Sequence, residues 1–200
     1  MKGRIFVLSG PSGAGKSTLI KGVRDRIRDI AYSISHTTRT PRSGEINGTD
    51  YFFVDKAAFR EMIDRNAFVE WAQVYDDYYG TSYGTLEEKL NAGQDIVLDI
   101  DIQGAKNIKE RIDDCILIFI LPPSKKILEQ RLRSRATDNA DAIEKRISQA
   151  TNELINCKWY DYLIINDDLE KATRELESVF LADRCSNNRK LPEVELRLGI

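Results

Sequence analysis

The chain is short of the residues from which disulfide frameworks and metal cages are built. It has one histidine, His36, and three cysteines, Cys115, Cys157 and Cys185. An odd number of thiols at wide spacing matches neither a paired framework nor a zinc-ligand pattern, and reduced thiols in a cytoplasm are the economical expectation. No apolar run approaches the length of a membrane span. The opening Met1-Lys2-Gly3 leads almost at once into an apolar run, so no signal peptide is expected. An excess of one charge is missing too: 30 basic residues stand against 32 acidic ones, for a net charge of -2. That balance gives no sign of a general nucleic-acid surface, and any strong anion site must be local. There is no internal repeat and no low-complexity tract. A chain of 200 residues has room for one α/β core and an insertion of a few tens of residues.

What is present is most concentrated near the N-terminus. Gly10-Pro11-Ser12-Gly13-Ala14-Gly15-Lys16-Ser17 is a complete G-x-x-x-x-G-K-S phosphate loop. The β-branched, apolar run Arg4 to Ser9 before it suits a buried parallel strand, and Thr18-Leu19-Ile20 and Val23 after it begin a helical period. Glycines at 10, 13 and 15 let the backbone turn tightly and aim successive N–H groups inward, while the helix opening near Lys16 adds its positive dipole end. A polyphosphate is the ligand this arrangement predicts. Lys16 would reach the β and γ phosphates of ATP, with Thr18 beside the loop, and the Ser17 hydroxyl would ligate magnesium.

Three further apolar runs read as buried strands: Ile96 to Ile100, Cys115 to Leu121 and Tyr162 to Ile165. Helical patterns fall between or after them, at 104–111, 124–135, 141–155 and 169–180. Such alternation predicts an α/β fold, a parallel sheet wrapped by helices. Residues 33–84 interrupt it. Tyr51 to Val54 and Phe68 to Trp71 look like strands there, Asn47-Gly48 signals a tight hairpin, and Asp55 is placed to cap a short helix through Ile63. A second interruption near 133–143 is polar and small; a surface loop would explain it, and its arginine neighbours favour a lid.

Inside the first interruption, Ser35-His36-Thr37-Thr38-Arg39-Thr40-Pro41-Arg42 sets two guanidiniums three residues apart with a proline between them, a pair suited to bidentate bonds with a phosphate. Glu70-Trp71-Ala72, Tyr78-Tyr79-Gly80-Thr81-Ser82 and Asp99-Ile100-Asp101-Ile102-Gln103-Gly104 follow. In this order behind a phosphate loop, these segments resemble the guanylate kinase family of nucleoside monophosphate kinases, from about residue 4 to about residue 180. The resemblance implies a P-loop NTPase core at 1–32 and 85–124, a small mixed α/β GMP-binding insertion at 33–84, a helical lid at 125–150, and a C-terminal core strand and helix with a tail at 151–200. It implies magnesium-dependent transfer of the ATP γ-phosphoryl group to GMP in the cytoplasm.

By the same resemblance Ser35, Arg39, Arg42, Tyr51 and Tyr79 hold the GMP phosphate. Glu70 accepts from the ring N–H and exocyclic amine of guanine, Thr81 donates to its carbonyl oxygen, and Asp101 lies near the base. Adenine presents the reverse donor pattern and would leave a buried carboxylate and hydroxyl unpaired. Asp99 would stand behind the magnesium waters, or simply cap its strand. Arg131, Arg135 and Arg146 would clamp the transferring phosphoryl group and the ATP phosphates; without the resemblance, the i,i+4 pair Arg131 and Arg135 reads as a solvated basic face. Asn166 matches a position near the adenine and is equally placed to cap the final helix.

Three positions depart from the family pattern. Ala136 replaces a usual glycine after Arg135, Asp76-Asp77 replaces Gly-Asn, and His36 sits beside a phosphate-contact serine; phosphoryl transfer needs positioning and charge neutralisation more than a base, so His36 receives no catalytic role. Two other readings remain. Asp101-Ile102-Gln103-Gly104 fits the D-x-x-G switch of a GTPase, although no [N/T]-K-x-D segment follows. A guanylate-kinase-like peptide-binding module is the other, disfavoured by the intact phosphate loop. The segment 181–200 carries no legible motif.

Overall fold

A computed structural model describes residues 2–74, 76–134 and 140–200, the side chains at 140–143, 145 and 146 excepted. Five strands form a parallel sheet in the order β2 (Ile30–Tyr32), β7 (Asp95–Asp99), β1 (Ile5–Ser9), β8 (Cys115–Leu121), β9 (Tyr162–Ile165), and four form a smaller sheet in the order β4 (Phe52–Phe53), β3 (His36–Thr37), β6 (Asp77–Ser82), β5 (Phe68–Val74). The expected α/β class is the one found. The chain divides into two compact units, one made of residues 8–30 and 117–200, the other of 2–7 and 31–116.

The first unit takes the end of β1 (Ile5–Ser9), then α1 (Lys16–Arg26), and resumes in β8 (Cys115–Leu121). Leu117 to Ile120 are all buried, which is why β8 is apolar without alternation. It pairs in parallel with β9 (Tyr162–Ile165), from Ile118 opposite Tyr162 to Leu121 opposite Ile165. Between the two come α5 (Lys125–Arg133), α6 (Ala140–Glu153) and a 3-10 turn at Leu154–Trp159. Ser124 starts α5 by accepting from the Ile127 amide, and Leu128 and Leu132 close a small core with Ile147 and Ala150 of α6. Helix α7 (Leu169–Arg184) packs on α1; Ala172, Leu176 and Phe180 of the one and Leu19, Ile20 and Val23 of the other are buried. The segment without a motif is a further helix, α8 (Asn187–Leu198). It is tied to α7 by a buried Arg189–Asp183 ion pair at 2.6 Å.

The second unit holds β2 (Ile30–Tyr32), β3 (His36–Thr37), β4 (Phe52–Phe53), α2 (Lys56–Asp64), β5 (Phe68–Val74), β6 (Asp77–Ser82), α3 (Tyr83–Asn91), β7 (Asp95–Asp99) and α4 (Ile102–Arg111). Asp55 caps α2 as expected, accepting from the Ala58 amide at 2.8 Å. The hairpin expected at Asn47-Gly48 is not there. β3 and β4 are parallel, so the chain between them must cross over rather than fold back, and Asn47-Gly48 serves as a local turn: Gly48 N–H donates to the Tyr51 carbonyl and the Asn47 side chain accepts from the Phe53 amide. Strand β6 runs antiparallel to both β3 and β5. The apolar face of β5 with β6 is an aromatic stack in which the Phe59 ring lies 4.5 Å from Phe68 and 5.5 Å from Tyr78.

Candidate active site

In the first unit the loop from Gly10 to Ser17 joins β1 to α1, and its glycines are needed where they stand. Gly15 occupies the N-cap of α1 in the left-handed conformation, φ 90° and ψ 23°. A Cβ there would lie 2.3 Å from the Asn166 amide nitrogen, and a Cβ at Gly10 would lie 2.3 Å from the Ile120 carbonyl oxygen. The loop therefore presses against β8 and the end of β9. Asn166, 5% exposed, donates from its side-chain nitrogen to the Ala14 carbonyl at 2.8 Å. It does not cap the last strand-following helix; Asp168 does, accepting from the Lys171 amide at 2.7 Å. Arg131 donates to the Asn166 carbonyl at 3.1 Å, with its other terminal nitrogen 3.5 Å from the Gly13 carbonyl.

Lys16 curls over the loop and donates to the Gly10 carbonyl at 2.8 Å. Pro11 and Ala14 are buried, while Ser12, Ser17 and Thr18 are exposed. Backbone N–H groups, a helix N-terminus, one ammonium group and an exposed serine hydroxyl are together suited to a polyphosphate and its magnesium ion. Among the described residues, no three His, Cys, Asp or Glu side chains gather to hold a metal. Magnesium carried by Ser17 and by phosphate oxygens requires no such cluster. Arg135 and Ala136 lie outside the described residues, as does the side chain of Arg146.

The second unit brings together most of the residues expected to hold the acceptor phosphate. Arg39 donates to both carboxylate oxygens of Glu45, at 2.8 and 2.9 Å, and to the Thr40 carbonyl at 2.7 Å. Its guanidinium carbon lies 5.4 Å from the Tyr51 ring centre and 5.8 Å from that of Phe53. Glu45 also accepts from the Arg42 amide at 2.6 Å, so one carboxylate fixes both arginine positions. The Arg39 hydrogen bond holds Glu45 below the usual carboxylate range. The Tyr51 and Tyr79 rings meet edge to face at 6.1 Å, and burial, helped by the Asp99 and Tyr79 charges, pushes the Tyr51 hydroxyl up to about 12. Ser35 is nearly buried and Arg42 is exposed.

Glu70 is 3% exposed and accepts from the Thr81 hydroxyl at 2.6 Å. Burial raises its pKa to about 7, against the Thr81 hydrogen bond; the nearby Asp101 charge adds to the rise. Asp101 accepts from the Gly104 amide at 2.7 Å and caps α4, which accounts structurally for the D-x-x-G segment. His36 stacks on Phe52 at 4.8 Å and meets the Phe68 edge at 5.7 Å; its Nδ1 is buried without a hydrogen-bond partner, and burial lowers its pKa. Its place is in a half-buried aromatic cluster. Sequence reasoning missed Glu45, whose only local signal is a carboxylate three residues after Arg42.

A glycine loop at a helix N-terminus in one unit, with clustered arginine and tyrosine side chains and a buried carboxylate in the other, has the make-up of a P-loop phosphotransferase. The guanylate kinase family model matches residues 2–183. The chain is 48% identical to the guanylate kinase of Carboxydothermus hydrogenoformans over 199 residues, covering 100% of this chain and 98% of that protein. It is 47% identical to the guanylate kinase of Geobacter metallireducens over the same shares. The crystal structure of guanylate kinase from Anaplasma phagocytophilum superposes with a TM-score of 0.80 at 32% identity, covering 100% of this chain and 97% of that one. The chain belongs to the guanylate kinase family.

Proposed function

We propose that the chain is an ATP:GMP phosphotransferase, moving the γ-phosphoryl group of ATP to GMP, and also to dGMP, to give ADP and GDP or dGDP. The observation that carries this reading is the buried Glu70–Thr81 pair, 2.6 Å apart. The Thr81 hydroxyl gives its one proton to Glu70 in the free protein. The carboxylate keeps lone pairs for two further donors, which the ring N–H and exocyclic amine of guanine supply on one edge, and the hydroxyl would turn to the guanine carbonyl oxygen when the base binds. Arg39, Arg42, Ser35, Tyr51 and Tyr79 then receive the acceptor phosphate: two fixed charges and three hydroxyls offset a dianion without a proton transfer.

On the donor side, Gly10 to Thr18 cradle the ATP phosphates and Lys16 neutralises charge that builds on the transferring group. Magnesium, held by Ser17 and through water by Asp99, would spread that charge over the phosphate oxygens. Asn166 borders the adenine. Arg131, Arg135 and Arg146 belong to the lid assigned to 125–150, and the acceptor domain is assigned to 33–84, with 1–32, 85–124 and 151–200 as core. No helix among the described residues is long and apolar enough to cross a membrane. The reduced cysteines and near-neutral charge suit a cytoplasmic enzyme. A coupled assay of ADP formation with GMP, AMP, UMP and CMP tests the reading. Turnover confined to GMP among these four supports it, and equal rates with AMP would overturn it.

A further inference from the structure

Strand β5 is an edge strand, since the smaller sheet ends on it, and its outer edge bears on α4 of the same unit. The strand is also irregular. Phe68 pairs with Ser82 and Glu70 with Thr81, so Val69 is an extra residue in a bulge. That insertion explains why Phe68, Val69 and Glu70 are buried in succession, where a regular strand would alternate. It sets Glu70 opposite Thr81, the residue whose hydroxyl it accepts from.

A bulge at a sheet edge frees backbone groups, and here α4 takes them. Arg111 donates to the Val69 carbonyl at 2.7 Å, and Asn107 donates to the Trp71 carbonyl at 3.2 Å. The two bonded carbonyls flank Glu70 on either side. One turn earlier on the same helix, Gly104 is buried, and a Cβ there would lie 2.7 Å from Glu70 Oε2. Residues 104, 107 and 111 lie on one helical face, which thus fixes the strand before and after Glu70 and leaves space for its carboxylate.

Building on the guanine reading of Glu70, we propose that Arg111 and Asn107 are positioning residues for acceptor-base choice: they clamp the bulged edge of β5 so that Glu70 meets both donors of guanine, with Gly104 keeping its carboxylate group unobstructed. Neither side chain needs to touch the nucleotide. The Arg111 charge also favours the ionised form of Glu70 against the opposing influence of burial and Asp101.

The test compares Arg111→Met, Arg111→Lys and Asn107→Ala with the unaltered chain, using GMP and inosine monophosphate, which lacks the exocyclic amine. The expected result for R111M is a fall on the order of tenfold in the kcat/KM preference for GMP over inosine monophosphate, the scale of one misaligned charge-assisted bond. It should come from KM, with the ATP KM unchanged. R111K keeps a donor and should restore most of the preference. An equal loss with both acceptors, or no loss, would overturn the clamp. A second arm needs no turnover: carbon-13 titration of the Glu70 carboxyl should show its midpoint displaced upward in R111M and close to normal in R111K. If R111M does not fold, N107A takes its place in the kinetic arm and R111K against the unaltered chain remains in the titration. Should the unaltered chain not phosphorylate GMP, the function reading fails, and the Glu70 midpoint alone decides the clamp.

Discussion

One terminal nitrogen of Arg39 lies within 2.9 Å of both carboxylate oxygens of Glu45. Without a bound phosphate, the guanidinium assigned to the acceptor is already oriented by an internal anion. Glu45 in turn accepts from the Arg42 amide, so the segment from 39 to 45 is a preorganised cradle. Arg39→Ala should therefore weaken GMP by roughly ten- to a hundredfold, the range for a bidentate charge-assisted contact. Glu45→Ala should weaken it less, by about fivefold, since it costs orientation but leaves the charge. Separate titrations with GMP and ATP check both, and equal weakening of the two nucleotides would remove Arg39 from a dedicated acceptor site.

The raised pKa of Glu70, about 7, gives two pH effects of opposite sign. For GMP, the carboxyl must be ionised to accept from both guanine donors, so affinity should climb about fivefold from pH 6 to pH 7, about tenfold by pH 8, and level off above that. For the free protein, the folded state holds the proton more tightly than the unfolded chain. Between about 4.5 and 7 it therefore binds more protons, and stability falls as pH rises, by something on the order of 3 kcal/mol across the window. The GMP phosphate also titrates near pH 6. Glu70→Gln separates the two contributions: it should flatten the part of the binding profile centred near 7 and abolish the stability change, and persistence of both in E70Q would assign them elsewhere.

The phosphate loop is legible because its eight residues are consecutive and its conformation depends on local φ values at Gly13 and Gly15. Strand β8 is legible for a similar reason, as an uninterrupted apolar run. Strand β9 is legible as a strand but not as the buried one its composition predicts, since it ends the sheet and only Ile164 is buried while Tyr162, Leu163 and Ile165 are exposed. Strand β6 is not legible, since Tyr78 to Ser82 is broken by Gly80 and half polar. Asn47-Gly48 misleads because the dipeptide signals a turn but not the direction in which the next strand returns; β4 runs parallel to β3. The Glu70 surroundings are illegible for a deeper reason. Arg111 and Asn107 act at separations of 42 and 36 residues, on a bulge that no periodicity announces. Helix α8 contains Pro192 and is anchored through Arg189 to Asp183, a pairing visible only after folding.

Gly10 adopts φ 149°, and its missing side chain is where the Ile120 carbonyl approaches. The obstructing atom is backbone in a buried strand, so it cannot swing aside. Gly10→Ala should destabilise the protein by about 2 kcal/mol or more and lower ATP affinity as well. Thermal unfolding read together with ATP titration checks this, and a variant of normal stability would show that the loop can move away from β8.

Lys16 and Asn166 both bond to loop carbonyls, yet their removal should have opposite signatures. Asn166 is buried and satisfies the Ala14 carbonyl, so Asn166→Ala leaves an acceptor unpaired at a cost of about 1 to 3 kcal/mol. For a chain of this length that lowers Tm by roughly 2 to 10 °C. Lys16 is only half-buried, and its contact with the Gly10 carbonyl can be replaced by water, so Lys16→Ala should unfold near the normal temperature. Its deficit should be in turnover, by a factor on the order of 10² to 10³, the effect of losing one aimed donor to charge that develops on the transferring group. Measuring Tm and kcat on both variants decides the matter: near-normal turnover in the Lys16 variant would sink its role in catalysis, and an unchanged Tm in the Asn166 variant would show that the Ala14 carbonyl finds another partner.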